Sequence, residues 1–215
     1  MDYSEIIEST KVLMAGGSET SSSALSAITY YLLLNPSSLA KLKTEIRTTF
    51  KSEFEINIAG VQSLKYTLAV IYEGMRMFPP LPGSMRRIVS PGGRQIAGYF
   101  IPEGTLVAVD EFSAGRYSGN FARPLDFCPE RYLNNIDPEF ANDKPKASRP
   151  FSAGPRDCLG KSLALAEMRI ILARIFFNFN LELVEPEKKD WVEKMPAFTF
   201  WEKTPLMVKL TPAEF

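Results

Sequence analysis

The sequence predicts a mainly α protein with small β-sheets, an α+β fold, on three observations. Apolar residues recur at helical spacing before Pro36 and again after Cys158. Between Ile88 and Val109 the pattern changes to short β-like runs set among turn signals. Residues 110–150 follow neither period and are rich in proline and asparagine.

In order along the chain, residues 3–34 read as a long helix, with Ile6, Ile7, Val12, Leu13, Ala24, Leu25, Ile28 and Leu32 at roughly helical spacing. The stretch from Ala15 to Ser21, built of small residues and glycines, is poor helix material and is expected to interrupt it. Pro36 ends this helix, Ser37 opens a second one to about Phe50, and a third runs from about Val61 to Met77 and stops at Pro79-Pro80. The β-like runs lie around Pro91-Gly92-Gly93, Ala97-Gly98-Tyr99 and Ile101-Pro102-Glu103-Gly104, ahead of Thr105 to Val109. The meander over 110–150 has a length that usually signals function or packing around a ligand. After Cys158 a helix is expected to about Phe177, with Leu163, Leu165, Ile170, Ile171 and Ile175 on its buried side. Strand-like pieces at 180–184 and 206–210, separated by a polar loop, close the chain. No repeat or linker divides it, so residues 1–215 read as one unit.

A chain of 215 residues is long enough for a sizeable core, and 45% hydrophobic with 23% charged residues is ordinary for a globular protein. The formal net charge is zero, so no nucleic acid or anionic membrane partner is indicated. The chain contains no histidine, which removes His-based zinc sites, Ser-His-Asp triads and His-ligated haem together. Two cysteines, Cys128 and Cys158, make no disulfide framework, and a bond between them would consume the thiol of greatest interest. The most apolar stretches are short or broken by Arg174 and Asn178, so no membrane segment is expected in this chain. The first five residues have no basic run of the signal-peptide kind.

The most informative segment is Phe151 to Gly160, of the form Phe-x-x-Gly-x-Arg-x-Cys-x-Gly. A lone cysteine is ordinarily a small buried hydrophobe. Here it is delivered by a glycine-bearing loop to the start of a helix, whose unpaired N–H groups favour a thiolate. Arg156, two residues earlier, can hold an anion. A thiolate, a cation and an open backbone suit a large anionic cofactor whose metal takes one soft axial ligand, as haem iron does.

This segment resembles the haem-binding loop of the cytochrome P450 family at each motif position: Phe151, Gly154, Arg156, Cys158 and Gly160. The resemblance implies haem b as cofactor, Cys158 as the axial iron ligand and Arg156 as partner of a haem propionate. Glu73 and Arg76, at i and i+3 of the third helix, would by themselves be a surface pair. With the proline pair after them they match the family's Glu-x-x-Arg helix, and Phe127 to Tyr132 resembles the segment that supplies a third partner, Arg131. The resemblance implies that Glu73, Arg76 and Arg131 form a buried structural triad.

Glu19-Thr20 has a plain reading, a weakened helix whose Thr hydroxyl bonds a carbonyl one turn back. The stretch from Ala15 to Ser21 also resembles the family's oxygen-binding segment, which opens the helix locally. On that resemblance Gly16 and Gly17 leave room for oxygen, Thr20 donates to it and Glu19 belongs to the proton path. An arginine after the proline pair meets a propionate in the family; Arg87 aligns better and Arg86 is the alternative. Where the family often has a histidine in the opening of the meander, this chain has Gly115 before Arg116.

The resemblance covers essentially the whole chain but only the C-terminal portion of a family member, and so implies a partial cytochrome P450 fold lacking the N-terminal half. It implies a haem-dependent monooxygenase that inserts one oxygen atom into a small lipophilic substrate, with electrons from an NADPH-dependent reductase. The phrasing is most like fungal microsomal members. These sit at the endoplasmic reticulum membrane through an anchor in the half not represented here, which leaves the location of this chain open. The alternative is a truncated, non-catalytic haem-binding or inert fragment. A remoter option is a redox-active Cys158 without haem, which leaves the other matches unexplained.

Overall fold

The computed structural model describes residues 2–135, 137–185 and 190–214. Residues 186–189 of the polar loop and Ile136 of the meander lie outside the described residues. Helix α1 spans Tyr3–Leu34 and starts in a capping box: Asp2 accepts from the Glu5 N–H at 2.8 Å while the Glu5 carboxylate accepts from the Asp2 N–H at 2.9 Å. It runs unbroken through Ala15–Ser21, contrary to the expected interruption. The hydroxyls there do not compete with the helix but fold back on it, Ser18 onto the Met14 carbonyl at 2.9 Å and Thr20 onto the Gly16 carbonyl at 2.6 Å.

Helix α2 spans Pro36–Thr49, so Pro36 opens the second helix at a position where a missing N–H costs nothing. Helix α3, Lys65–Met77, is preceded by a separate 3₁₀ turn over Gly60–Ser63, which shortens the expected third helix at its start. No side chain of its own caps α3. Glu45 reaches across from α2 instead, and its carboxylate accepts from the Tyr66 and Thr67 N–H groups at 2.7 and 2.8 Å. A carboxylate on those free donors also complements the positive end of the helix.

Strand β1, Arg87–Ile88, pairs antiparallel with β4, Leu106–Val107, and encloses the hairpin of β2, Arg94–Ile96, with β3, Tyr99–Ile101. A short helix, α4 (Glu111–Arg116), opens the meander, where no helix was expected; Asp110 caps it by accepting from the Ser113 N–H at 2.8 Å. Helix α5 spans Lys161–Asn178, and β5 (Phe179–Leu183) pairs antiparallel with β6 (Val208–Pro212).

The core lies where the second half of α1 meets α3 and α5, around Ile28, Leu32, Val70, Ile71, Leu172 and Phe176, all buried. The first half of α1 is different: Ile6, Ile7, Val12 and Leu13 are exposed. So is Leu163, at 73% exposure, although its spacing put it on the buried side of α5; the core takes Met168, Leu172, Ala173, Phe176 and Phe177 instead. Periodicity tells which residues share a face, and contact alone tells whether anything covers it.

The 3₁₀ turn over Pro129–Tyr132 is held to α2 and α3 through Glu130, which accepts from Lys41 at 2.8 Å and from the Tyr66 hydroxyl at 2.9 Å. Burial raises the pKa of Glu130, but the Lys41 and Tyr66 bonds outweigh it and hold the carboxyl below its ordinary value. A carboxyl so depressed stabilises the fold above its ordinary pKa, and that share is lost as pH falls through the folded value. Lys41 is about half exposed, so Glu130→Gln is expected to cost under about 1 kcal/mol at pH 7. In urea titrations the difference from wild type should vanish in acid. A difference that grows in acid would refute the assignment.

Candidate functional site

Two arrangements on this frame carry chemistry. The first is a buried ion cluster centred on Glu73 of α3. Glu73 meets Arg76 in two hydrogen bonds, of 2.7 Å to Nε and 2.8 Å to an outer nitrogen, and Arg131 Nε lies 3.2 Å from the same carboxylate. All three side chains are fully buried. The helix period sets Glu73 and Arg76 on one face, and the 129–132 turn brings in Arg131. The Cys128 N–H donates to Glu73 at 2.7 Å, and Arg76 donates to the carbonyls of Pro124 and Asp126 at 2.7 and 3.0 Å. Burial would pull the Arg76 pKa down, yet the Glu73 hydrogen bonds and charge hold it above its ordinary value.

A fourth member was not legible in the sequence. Asp143 pairs with Arg131, and its other oxygen accepts from the Ala122 N–H at 2.6 Å. Two carboxylates therefore balance two guanidiniums in a buried cluster. The stacking of Arg131 over Phe140, 4.5 Å from the ring centre, closes that side. Only an exposed-looking Asp in a polar loop marks position 143 in the sequence, which is no signal at all.

Gly115, which stands where the resemblance led to a histidine, lies against Arg76. A Cβ built there would sit 2.6 Å from the Arg76 carbonyl oxygen, so the close approach of α4 to α3 requires glycine. Gly115→His is expected to destabilise the fold by about 1–3 kcal/mol through forced backbone movement. A urea midpoint equal to wild type would show that the meander yields freely.

The second arrangement is the loop of Cys158. The Cys158 N–H donates to the Phe151 carbonyl at 2.9 Å, closing the segment into a loop, and the Asp157 N–H donates to the Gly154 carbonyl at 3.0 Å. Gly154 takes a φ of +81°, a left-handed turn natural to glycine, and Ser152 takes +60°. The result is a thiol that is free and exposed, two residues before Gly160 caps α5. Arg156 is exposed, Phe151 is half-buried, and a Cβ built at Gly160 would lie 3.9 Å from Sγ of Cys158, an ordinary contact. Cys128, by contrast, is buried and also free, so no disulfide joins the two. Beside Phe151 an open groove of about 470 Å³ is floored by Tyr72 and Tyr132 and rimmed by Lys146, Arg149 and Lys161.

The remaining sequence candidates are apart from the cluster. Glu19 and Thr20 lie on α1 at the boundary between its exposed and buried halves. The Thr20 hydroxyl is occupied by the Gly16 carbonyl, and the Glu19 carboxylate by Lys203 at 2.8 Å. The expected local opening of the helix is not present, although a Cβ at Gly16 or Gly17 would meet nothing within 4 Å, so that face is open. Arg86 and Arg87 are both exposed, and the Arg87 side chain donates to the Arg86 carbonyl at 3.0 Å.

The loop that carries Cys158 and the buried Glu73–Arg76–Arg131 cluster are the two segments whose sequences resemble the cytochrome P450 family. Residues 1–209 match the family model described as Cytochrome P450, and the chain belongs to that family. It is 47% identical over 214 residues to averantin hydroxylase of Dothistroma septosporum, covering 99% of this chain and 40% of that protein. It is 46% identical over 212 residues to cytochrome P450 monooxygenase lcsI of Purpureocillium lilacinum, again 99% and 40%, and 43% identical to cytochrome P450 monooxygenase aclL of Aspergillus oryzae, 99% and 43%. The chain thus spans about two fifths of the length of these curated relatives. No helix of the described residues is long and apolar enough to cross a membrane.

Proposed function

We propose that this chain is the haem-ligating and oxygen-activating portion of a monooxygenase that inserts one atom of dioxygen into a small lipophilic substrate. The observation that carries the reading is the free, exposed Cys158 thiol on its closed loop, inside a match to the cytochrome P450 family. A soft anionic donor with an arginine two residues away is the donor set that haem iron and a propionate require, so the residues present fit the group. When bound, haem b supplies the iron at which oxygen is activated.

In this reading Cys158 holds the iron from the loop, and Phe151, Gly154 and Gly160 shape the backbone around the sulfur. Arg156 and Arg87 hold propionates, Arg86 being the alternative to the latter. Thr20 would donate a hydrogen bond to dioxygen, and Glu19 would move protons toward it. Both must leave their present partners, the Gly16 carbonyl and Lys203, to do so. The Glu73–Arg76–Arg131–Asp143 cluster holds α3 and the meander in register behind the loop. Electrons come from an NADPH-dependent reductase, and the basic rim of Lys146, Arg149 and Lys161 offers an acidic donor a complementary face. Hydroxylation, the reaction in the name of the averantin hydroxylase relative, is the reaction class proposed, and the endoplasmic reticulum membrane the location proposed for family members of full length.

A second reading is favoured by the open face of α1, where Val12 and Met14 are 70% and 69% exposed. The chain by itself is then a non-catalytic haem-binding or inert fragment. The test that separates the two is substrate oxidation by the haem-loaded chain with NADPH and a reductase. Turnover supports the first reading for this chain, and haem binding without turnover the second.

A further inference from the structure

Lys203 is unusually well held for a lysine near the surface. Both tryptophans of the chain, Trp191 and Trp201, precede it and anchor its segment. The indole N–H of Trp201 donates to the Pro79 carbonyl at 2.8 Å, and that of Trp191 to the Thr204 carbonyl at 3.1 Å. The two indoles stack on Phe78, at 4.3 and 6.3 Å between ring centres, and Trp191 also meets Tyr30 of α1 at 5.2 Å. Residues 201–204 are thereby fastened to the end of α3 and to α1, and the ammonium of Lys203, whose side chain is 23% exposed, projects from a fixed base.

That ammonium makes two contacts on α1: the Glu19 carboxylate at 2.8 Å and the Ser22 hydroxyl at 3.1 Å. Glu19 and Ser22 are i and i+3 and share a face. Thr20 lies about 100° round the helix from Glu19, and its hydroxyl is turned to Gly16. The acid and the alcohol of the candidate oxygen-activating pair therefore point apart, and a residue from the far end of the chain keeps the acid there.

We propose that Lys203 is a positioning residue for Glu19: from a base fixed by Trp191 and Trp201, it holds the carboxylate over the Ser22 face of α1 and off the Thr20 face. Glu19 reaches toward Thr20 only when Lys203 releases it, so the seating of residues 201–204 governs when the acid is available. This rests on the reading of Glu19 as part of the proton path, while the tether itself is a property of the chain without haem.

The test is made on the haem-free 215-residue chain with side-chain-labelled glutamate, the Glu19 signal being assigned by its loss in Glu19→Gln. Three-bond couplings report whether the Glu19 side chain keeps one rotamer or averages among several. The expected result is one dominant rotamer in wild type, averaging in Lys203→Met at an unchanged urea midpoint, and recovery in Lys203→Arg. A salt series on the wild-type chain gives the same answer without substitution, because at 1 M salt the screening length falls to about 3 Å and the rotamer should begin to average. Averaging already present in wild type at low salt, or couplings indifferent to both Lys203→Met and salt, would overturn the tether. A chain that shows the thiolate haem band but an averaged Glu19 sinks this proposal alone. A held Glu19 in a chain without that band sinks the haem reading alone.

Discussion

Glu73→Gln is expected to cost about 3–5 kcal/mol of stability, the range for removing one partner from a buried ion pair. The replacement keeps the shape of the side chain but leaves two fully buried guanidiniums facing one carboxylate, Asp143, which among the described residues pairs with Arg131 and not with Arg76. Arg76 would keep its carbonyl acceptors at Pro124 and Asp126 and lose its counter-ion. Asp143→Asn should fall in the same direction, since it strands Arg131 in part. Neither loss measures what the cluster contributes, because bringing four charges out of water opposes folding, and an apolar replacement of the whole set could be near neutral. Equilibrium denaturation in urea at pH 7 reads the effect. A loss below about 1 kcal/mol for Glu73→Gln would mean that the cluster admits water and is not the closed set described here.

Cys158→Ala is expected to abolish thiolate ligation outright while leaving the fold nearly untouched. The measurement is the absorption spectrum of the haem-reconstituted chain, reduced and exposed to carbon monoxide. Wild type should give the Soret band of a thiolate-ligated haem, and the variant none. Because Cys158 is exposed, the unfolding free energy of the variant in urea should stay within about 0.5 kcal/mol of wild type. A band that survives the substitution removes Cys158 as the ligand. Absence of the band from wild type as well would mean that haem capture needs chain beyond these 215 residues, which favours the fragment reading.

How much of this was legible beforehand differs from element to element. Helix geometry set Glu73 and Arg76 on one face, but only the resemblance of that helix and of the Arg131 segment to the family marked the pair as buried. Asp143 could not be found, since an aspartate in a polar loop looks solvated until the Ala122 amide and Arg131 are seen to surround it. The continuity of α1 through Ala15–Ser21 was misjudged for a related reason. Intrinsic propensity counts glycine and serine against a helix, whereas here Ser18 and Thr20 spend their hydroxyls on the helix itself and the packed second half propagates it. Lys203 gave no warning, being one lysine among polar neighbours and 184 residues from Glu19.

The sequence by itself determined the class of fold and the family, and it marked Cys158 as the candidate ligand. Each of these is written in short-range pattern: apolar period, turn chemistry, and five residues at set spacing within one loop. Tertiary structure alone decided which apolar faces are covered, which charge completes the buried cluster and where the Glu19 carboxylate points. Those depend on contacts between segments far apart in the chain, whose free energy comes from burial and desolvation at the meeting point, and neither quantity exists until the segments have met.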